Sequence, residues 1–253
     1  MSRVLSGALM AGIGLGAVWL GGLPFHIFVA LLSAVMVWEL ARMTGAGERA
    51  LWPALGAGAA MLVAGEIPGG FALPLLIAPG LFRAEGMRGN RTQYAIFTVA
   101  IMIAGYGLMF LRDEFGFIWM AWLALLVVAT DVGGYFAGRI IGGPKIWPKV
   151  SPKKTWSGTV AGWVLAGAVS IPFVTEKAGV GWELLGIAVA LSMASQLGDV
   201  AESALKRRSG IKDSSALIPG HGGLLDRFDS MLGASIFLLL IEQIVDFPPP
   251  PIL

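Results

Sequence analysis

Four polar residues near position 200 fall on one helical face. Asp199, Glu202, Ser203 and Lys206 lie at offsets of three, four and seven residues, the spacing that stacks side chains along one side of an α-helix. An apolar run from about Leu184 leads up to Asp199, which sets its carboxylate at or below the headgroup level of a bilayer. A charge at that depth costs on the order of several kcal/mol unless a cation or metal compensates it. A helix-end ion pair to Lys206 returns only ~0.2–0.5 kcal/mol. A site that uses the charge is therefore the better reading.

A second cluster follows at Pro219-Gly-His-Gly-Gly-Leu-Leu-Asp-Arg-Phe-Asp229. Glycines around His221, among them Gly222 and Gly223, suit a backbone that approaches a phosphate closely, and His221 could donate to it. A zinc role for His221 is disfavoured by the lack of a second His or Cys nearby. Asp226 and Asp229 are three apart and offer the hard oxygen atoms that Mg²⁺ takes, with Asp199 as the partner carboxylate. The structural alternative makes the glycines a turn and the aspartates helix N-terminal caps. Asp131 can stand in for either metal carboxylate.

The third cluster begins at Asp131 and runs through Arg139, Lys145 and Lys149 to Ser151-Pro-Lys-Lys-Thr155. Ser151, Thr155, Lys153 and Lys154 could bind phosphate oxygens through charge-assisted hydrogen bonds. Lysines at a membrane face are also expected from topology and anionic headgroups alone. Neither polar stretch contains a Walker A motif or a G-x-G-x-x-G opening a helix, so a phosphate site here is neither a P-loop nor a Rossmann site.

What must position these residues is a membrane scaffold. The chain is 56% hydrophobic and 13% charged, with mean hydropathy +0.77, against roughly 25% charged in soluble domains. No cysteine is present, which excludes disulfides, thiol nucleophiles and thiolate metal sites. Apolar segments at about 4–20, 25–41, 50–64, 71–82, 94–111, 117–137, 157–174, 182–206 and 230–246 predict an all-α polytopic protein of about nine transmembrane helices. The first is expected to be a retained span, not a cleaved signal. The third and fourth are short against the ~20 residues a span needs, so seven spans plus a re-entrant pair is the alternative. Placing the N-terminus in the cytoplasm puts sixteen of the 18 Lys and Arg inside, all but Arg112 and Lys177, a strong positive-inside bias. A single membrane domain, 1–253, is expected. Within it, 1–116 forms a helical scaffold and 117–253 a catalytic region with cytoplasmic loops 138–156 and 207–229.

Small residues four apart, Gly134/Gly138 and Gly158/Gly162, read first as helix-packing faces. The nine tryptophans mostly fall near span ends and read as interface anchors. His26, at the start of the second span on the outer side, reads as an interfacial residue.

The run from Ser203 to Asp229 resembles the phosphatidate cytidylyltransferase (CDP-diacylglycerol synthase) family. The shared pattern is Ser203, Leu205, Lys206, Arg207, then Lys212-Asp213, then Pro219, His221, Gly222, Gly223, Asp226, Arg227 and Asp229. Asp131-Val-Gly-Gly-Tyr135 and Ser151-Pro-Lys-Lys-Thr155 are also similar to that family. The likeness covers about residues 125–235. Ser157 departs from it, since a Glu is expected shortly after Thr155.

The resemblance implies transfer of a cytidylyl group from CTP to phosphatidic acid, with Mg²⁺ required and K⁺ plausible as a second cation. Asp199 and Asp226 are then the metal carboxylates, and Lys206, Asp131 and Asp229 complete the catalytic set. Ser203, Arg207, Lys212, His221, Gly222, Gly223, Arg227, Lys153, Lys154 and Ser151 form the phosphate-binding set. Expected partners are CTP, phosphatidic acid and membrane lipids, with no nucleic acid, and the small-residue helix faces permit a second copy of the chain. The expected location is a bacterial inner membrane, the site facing the cytoplasm. The competing class is a cation- or proton-coupled transporter using Asp131 and Asp199. It leaves the cation and glycine clusters without a purpose.

Overall fold

Helix dominates because nearly every long segment of the chain is apolar, and backbone polar groups in hydrocarbon must be satisfied within their own segment. The structure, a computed structural model, describes residues 2–83, 85–87, 90–176, 180–218, 220, 222–245 and 247. The helices are α1 (Ser2–Leu20), α2 (Gly22–Met43), α3 (Leu51–Glu66), α4 (Gly69–Ile77), α5 (Arg91–Ile140), α6 (Trp156–Glu176), α7 (Glu183–Arg208) and α8 (Leu225–Val245). Five of them, α2 and α5 to α8, are long and apolar enough to cross a membrane. The protein is a helical membrane protein.

Each of the nine expected apolar segments coincides with a helix or with one arm of α5. The expected outer loop after residue 111 is reduced to a single break, Gly116, at φ +83°. Glycine tolerates that conformation without a Cβ penalty. Helices α3 and α4, at 16 and 9 residues, rise only about 24 Å and 14 Å at 1.5 Å per residue. A short 3₁₀ turn, Ala78–Leu81, extends α4.

The backbone groups into two compact units. One comprises Met1–Phe117 with Leu205–Phe228, the other Ile118–Ala204 with Asp229–Leu253. The segment richest in candidate residues, 205–228, thus packs with the N-terminal helices.

In the first unit, Phe25, Leu40, Met61, Leu76, Tyr94, Ile101 and Met109 are fully buried. Gly105 admits the close approach: an added Cβ would lie 2.7 Å from Met61 and 2.8 Å from Ser33. At one end of this unit, the His26 ring lies 2.6 Å from Asp113 Oδ2 and 3.3 Å from Glu66 Oε1. Arg112 donates to the Val18 carbonyl at 2.6 Å. The end of α1, the start of α2, the end of α3 and the end of the first arm of α5 therefore meet there. His26 is 6% exposed, so at these helix ends it ties helices together within the protein.

In the second unit, Trp119, Trp122, Phe173 and Phe247 form an aromatic cluster with ring centroids 5.2–6.3 Å apart. Trp122 Nε1 donates to Ser170 at 2.9 Å. Between α5 and α6 a two-stranded antiparallel hairpin, β1 (Lys145–Trp147) and β2 (Ser151–Thr155), pairs Lys145 with Thr155 and Trp147 with Ser151. The expected loop 138–156 is therefore partly structured. Thr155 caps α6, accepting a hydrogen bond from the Gly158 N–H at 3.2 Å, as N-cap threonines do.

Candidate active site

In the first unit the site is built around two carboxylates. Asp226 stands in the first turn of α8, and its side chain is only 5% exposed. Its Oδ1 accepts from Lys206 Nζ at 2.6 Å. Its Oδ2 accepts from the backbone N–H groups of Ser214 at 2.9 Å and Gly223 at 2.7 Å. The Ser214 hydroxyl lies 2.9 Å from Asp226 Oδ2 and 3.2 Å from Glu39 Oε2, one hydrogen shared between two acceptors.

Glu39 is the residue that sequence reasoning missed. It lies on α2, completely buried. Besides Ser214 it receives the Ser215 hydroxyl at 2.6 Å and the N–H groups of Leu224 at 2.9 Å and Leu225 at 2.7 Å. Those last two are orphan donors at the start of α8, where a negative charge is also favoured by the helix dipole. Its signal was available: a lone carboxylate inside an apolar span is by default a functional-site hypothesis. Hydropathy averaged over the segment 25–41 hides it, because most of its neighbours are apolar.

The paired glycines have a packing reason. Gly222 has φ +84°, a left-handed conformation suited to glycine. A Cβ on Gly223 would lie 2.0 Å from Ser214 Oγ and 2.4 Å from Glu39 Oε1. The Gly223 N–H is directed to Asp226, so it serves the turn and the start of α8. Arg207, Lys212, Asp213 and Arg227 are exposed around this turn, and Arg207 donates to the Ile211 carbonyl at 3.2 Å. Pro219 and His221 lie outside the described residues.

In the second unit, α5, β2, α6 and α7 enclose a cavity of about 470 Å³. Its wall includes Asp131, Arg139, Lys153, Lys154, Gln196 and Asp199. Lys154 and Asp199 form a 2.6 Å ion pair, both about a quarter exposed. Ser203, one turn further along α7, donates to Asp199 Oδ1 at 3.3 Å. Asp131 receives a long 3.4 Å contact from the Ser230 hydroxyl, and Asp229 caps the Ser230 N–H at 2.7 Å. Ser151 does not line this cavity.

Close helix packing shapes the same wall. A Cβ on Gly158 would lie 2.4 Å from the Gly134 carbonyl oxygen, and one on Gly138 2.9 Å from Thr155 Oγ1. These glycines also line the cavity, so the packing and the site readings hold together. Ser157, the departure from the family pattern, donates to the Gly142 carbonyl and lies 3.0 Å from Thr155 Oγ1, tying the base of the hairpin to α6.

The donor chemistry suits Mg²⁺, which is bound through one or two carboxylates plus phosphates and water. A carboxylate has about four lone-pair positions. Among the described residues Asp199 takes one ion pair and one 3.3 Å serine contact and retains capacity, whereas Asp226 already takes four donors and offers a metal little more than the second lone pair of Oδ1. Among the described residues no three acidic or histidine side chains converge into a ready-made metal cage.

Residues 1–245 match the model of the cytidylyltransferase family. A phosphatidate cytidylyltransferase of Brucella suis biovar 1 (strain 1330) is 32% identical over 265 residues, 99% of this chain and 96% of the relative. That of Bacillus subtilis (strain 168) is 33% identical over 94% of this chain and 96% of its own. That of Staphylococcus saprophyticus is 34% identical over 91% and 94%. The chain belongs to the cytidylyltransferase family, and is a membrane-embedded transferase.

Proposed function

We propose that this enzyme transfers the cytidylyl group of CTP to the phosphate of phosphatidic acid, releasing pyrophosphate and leaving CDP-diacylglycerol in the membrane. One observation carries the reading: the cavity that sets Asp131 and Asp199 among Arg139, Lys153 and Lys154. Two anions must meet in this reaction; the cations of the wall lower their repulsion, and the carboxylates would do so through a metal ion that they hold. The names of the relatives point the same way.

A phosphate oxygen of the lipid bonds to the α-phosphorus of CTP while the bond from that phosphorus to the bridging oxygen breaks. The electron pair leaves with pyrophosphate. The lipid phosphate is largely ionised near neutral pH, so no strong general base is needed. In the second unit Lys153 and Lys154, supported by Ser203 and Ser151, are assigned to the departing phosphates; the family pattern assigns the same chemistry to Lys206, Arg207, Lys212, His221 and Arg227, each on its own surroundings. Gly222 and Gly223 shape the turn that presents Asp226. Asp131 and Asp229 orient lysines and bound water. Asp199 and Asp226 are the carboxylates assigned to Mg²⁺, each on its own surroundings, and K⁺ is the second cation. Bound Mg²⁺ supplies charge neutralisation at the α-phosphate.

The same reading sets the N-terminus in the cytoplasm of a bacterial inner membrane, with about nine crossings and the catalytic region in 117–253. Within the first unit, the meeting of four helix ends at His26 and Arg112, with Glu39 toward the other end of α2, supports alternating passages. A homodimer is compatible with the small-residue helix faces.

The test is pyrophosphate release by purified protein given CTP, phosphatidic acid and Mg²⁺. Lipid-dependent release is expected, falling at least about a hundredfold in Asp199→Asn and Asp226→Asn, the scale of losing one preorganised electrostatic group. No release from folded wild-type protein across Mg²⁺ and K⁺ concentrations would overturn the proposal.

A further inference from the structure

Three tryptophans expected as interface anchors line a second cavity. Trp147 from β1 and Trp156 and Trp163 from α6 meet Met193, Leu197 and Val200 of α7 around about 280 Å³. This cavity shares Lys154, Thr159 and Gln196 with the polar cavity that holds Asp199. The shared wall is braced, since Gln196 Oε1 accepts from Trp163 Nε1 at 3.0 Å and Gln196 Nε2 donates to the Thr159 carbonyl at 3.2 Å. Trp147 is 52% and Leu197 62% exposed, so the groove opens to the outside of its unit.

Charge on one side of Gln196 and hydrocarbon on the other select an amphipathic ligand. A polar ligand confined to the groove would leave its hydrogen-bonding groups against Met193, Leu197 and Val200, an unfavourable exchange for water. A hydrocarbon chain loses nothing there and gains apolar contact. The occupant must also reach an anion-binding wall within the width of one amide side chain. Diacylglycerol bearing a phosphate has that form: a compact dianion joined through a short polar linker to hydrocarbon.

We propose that the tryptophan-lined groove seats the first methylenes of an acyl chain of the lipid phosphate, whose headgroup lies beside Lys154. The substrate thus spans both cavities, and Gln196 marks the boundary between its polar and apolar parts. The groove makes this chain discriminate for acylated over non-acylated phosphate acceptors. This assignment rests on the cytidylyl-transfer reading for the identity of the lipid.

The experiment has a binding arm and a turnover arm. In the first, phosphatidic acid with a photoactivatable diazirine near its ester group is irradiated with the full-length protein in phosphatidylcholine nanodiscs, without CTP. Labelling within 145–163 or 193–200 is expected, displaced by excess phosphatidic acid but not phosphatidylcholine, and reduced severalfold by Val200→Phe, which fills the groove. Labelling only elsewhere, or displaced equally by phosphatidylcholine as for a bulk bilayer lipid, would overturn the assignment.

In the second arm, Leu197→Ala and Trp147→Ala are expected to raise KM for dioleoyl phosphatidic acid roughly tenfold more than KM for CTP. Glycerol 3-phosphate, which has the phosphate and no acyl chain, should show a much smaller change. A larger effect on CTP would mean that the tryptophans stack the base, and would overturn the assignment. Failure of wild-type turnover with successful, displaceable labelling would remove the reaction while leaving the lipid site in place.

Discussion

Glu39 and Asp226 hold the turn before α8 from two sides, and Ser214 joins them. Each carboxylate has four donor groups within 3.2 Å, the shared Ser214 hydroxyl counted for both. Glu39→Gln replaces an acceptor with an NH₂ group facing N–H and O–H donors, and a buried donor left unsatisfied costs about 1–3 kcal/mol. A fall in thermal midpoint in detergent is expected, with reduced pyrophosphate release. Glu39→Asp should recover part of neither if reach from α2 matters, since one methylene less withdraws the carboxylate from Leu224 and Leu225. Lys206→Met should be worse, by ~3–5 kcal/mol, because it strands a buried carboxylate. Adding Asp226→Leu to it should recover only part of that stability, since the Ser214 and Gly223 N–H groups then lose their acceptor, and should not restore activity. Unfolding curves for the single and double variants separate the two effects.

At the scale of elements, glycine decides where helices touch. Gly158→Ala forces a Cβ against the Gly134 carbonyl at 2.4 Å, a contact backbone can relieve only by moving α6 from α5. A loss of about 1–3 kcal/mol is expected, as for other overpacked cores, with lowered activity because both helices line the cavity. Gly167→Ala, also on α6, meets nothing within 4 Å and should be neutral or stabilising by roughly 0.5–1 kcal/mol. Equal effects of the two would mean that α5 and α6 do not pack through glycine. Gly233→Ala repeats the test on α7 and α8, where the new Cβ meets the Ala194 carbonyl oxygen at 2.2 Å.

For the whole molecule, topology is the open question that chemistry can reach directly, because the chain has no cysteine. Glu48→Cys and Glu114→Cys each introduce one thiol at an exposed position. A membrane-impermeant maleimide added to intact cells should label the second and spare the first. Labelling of both from one side would reverse or break the positive-inside assignment. The surface fits a lipid environment: Trp19, Phe71, Ile140 and Ile244 are each at least 72% exposed.

Hydropathy and the pattern from Ser203 to Asp229 were enough to determine the helical membrane architecture, the nine apolar segments and the family. Both are local: backbone hydrogen bonds in hydrocarbon close within a segment, and a motif is read along the chain. Asp199, Lys206 and Asp226 are candidates for that reason. Tertiary structure alone decided which lysine neutralises which aspartate, since Lys153 and Lys154 are indistinguishable in sequence and only Lys154 pairs with Asp199. It alone joined Glu39 to Leu224 across 185 residues. It also turned three presumed anchors into one groove. Such contacts depend on how separate apolar faces pack, and in a chain this uniformly apolar the hydrophobic pattern does not say which faces meet.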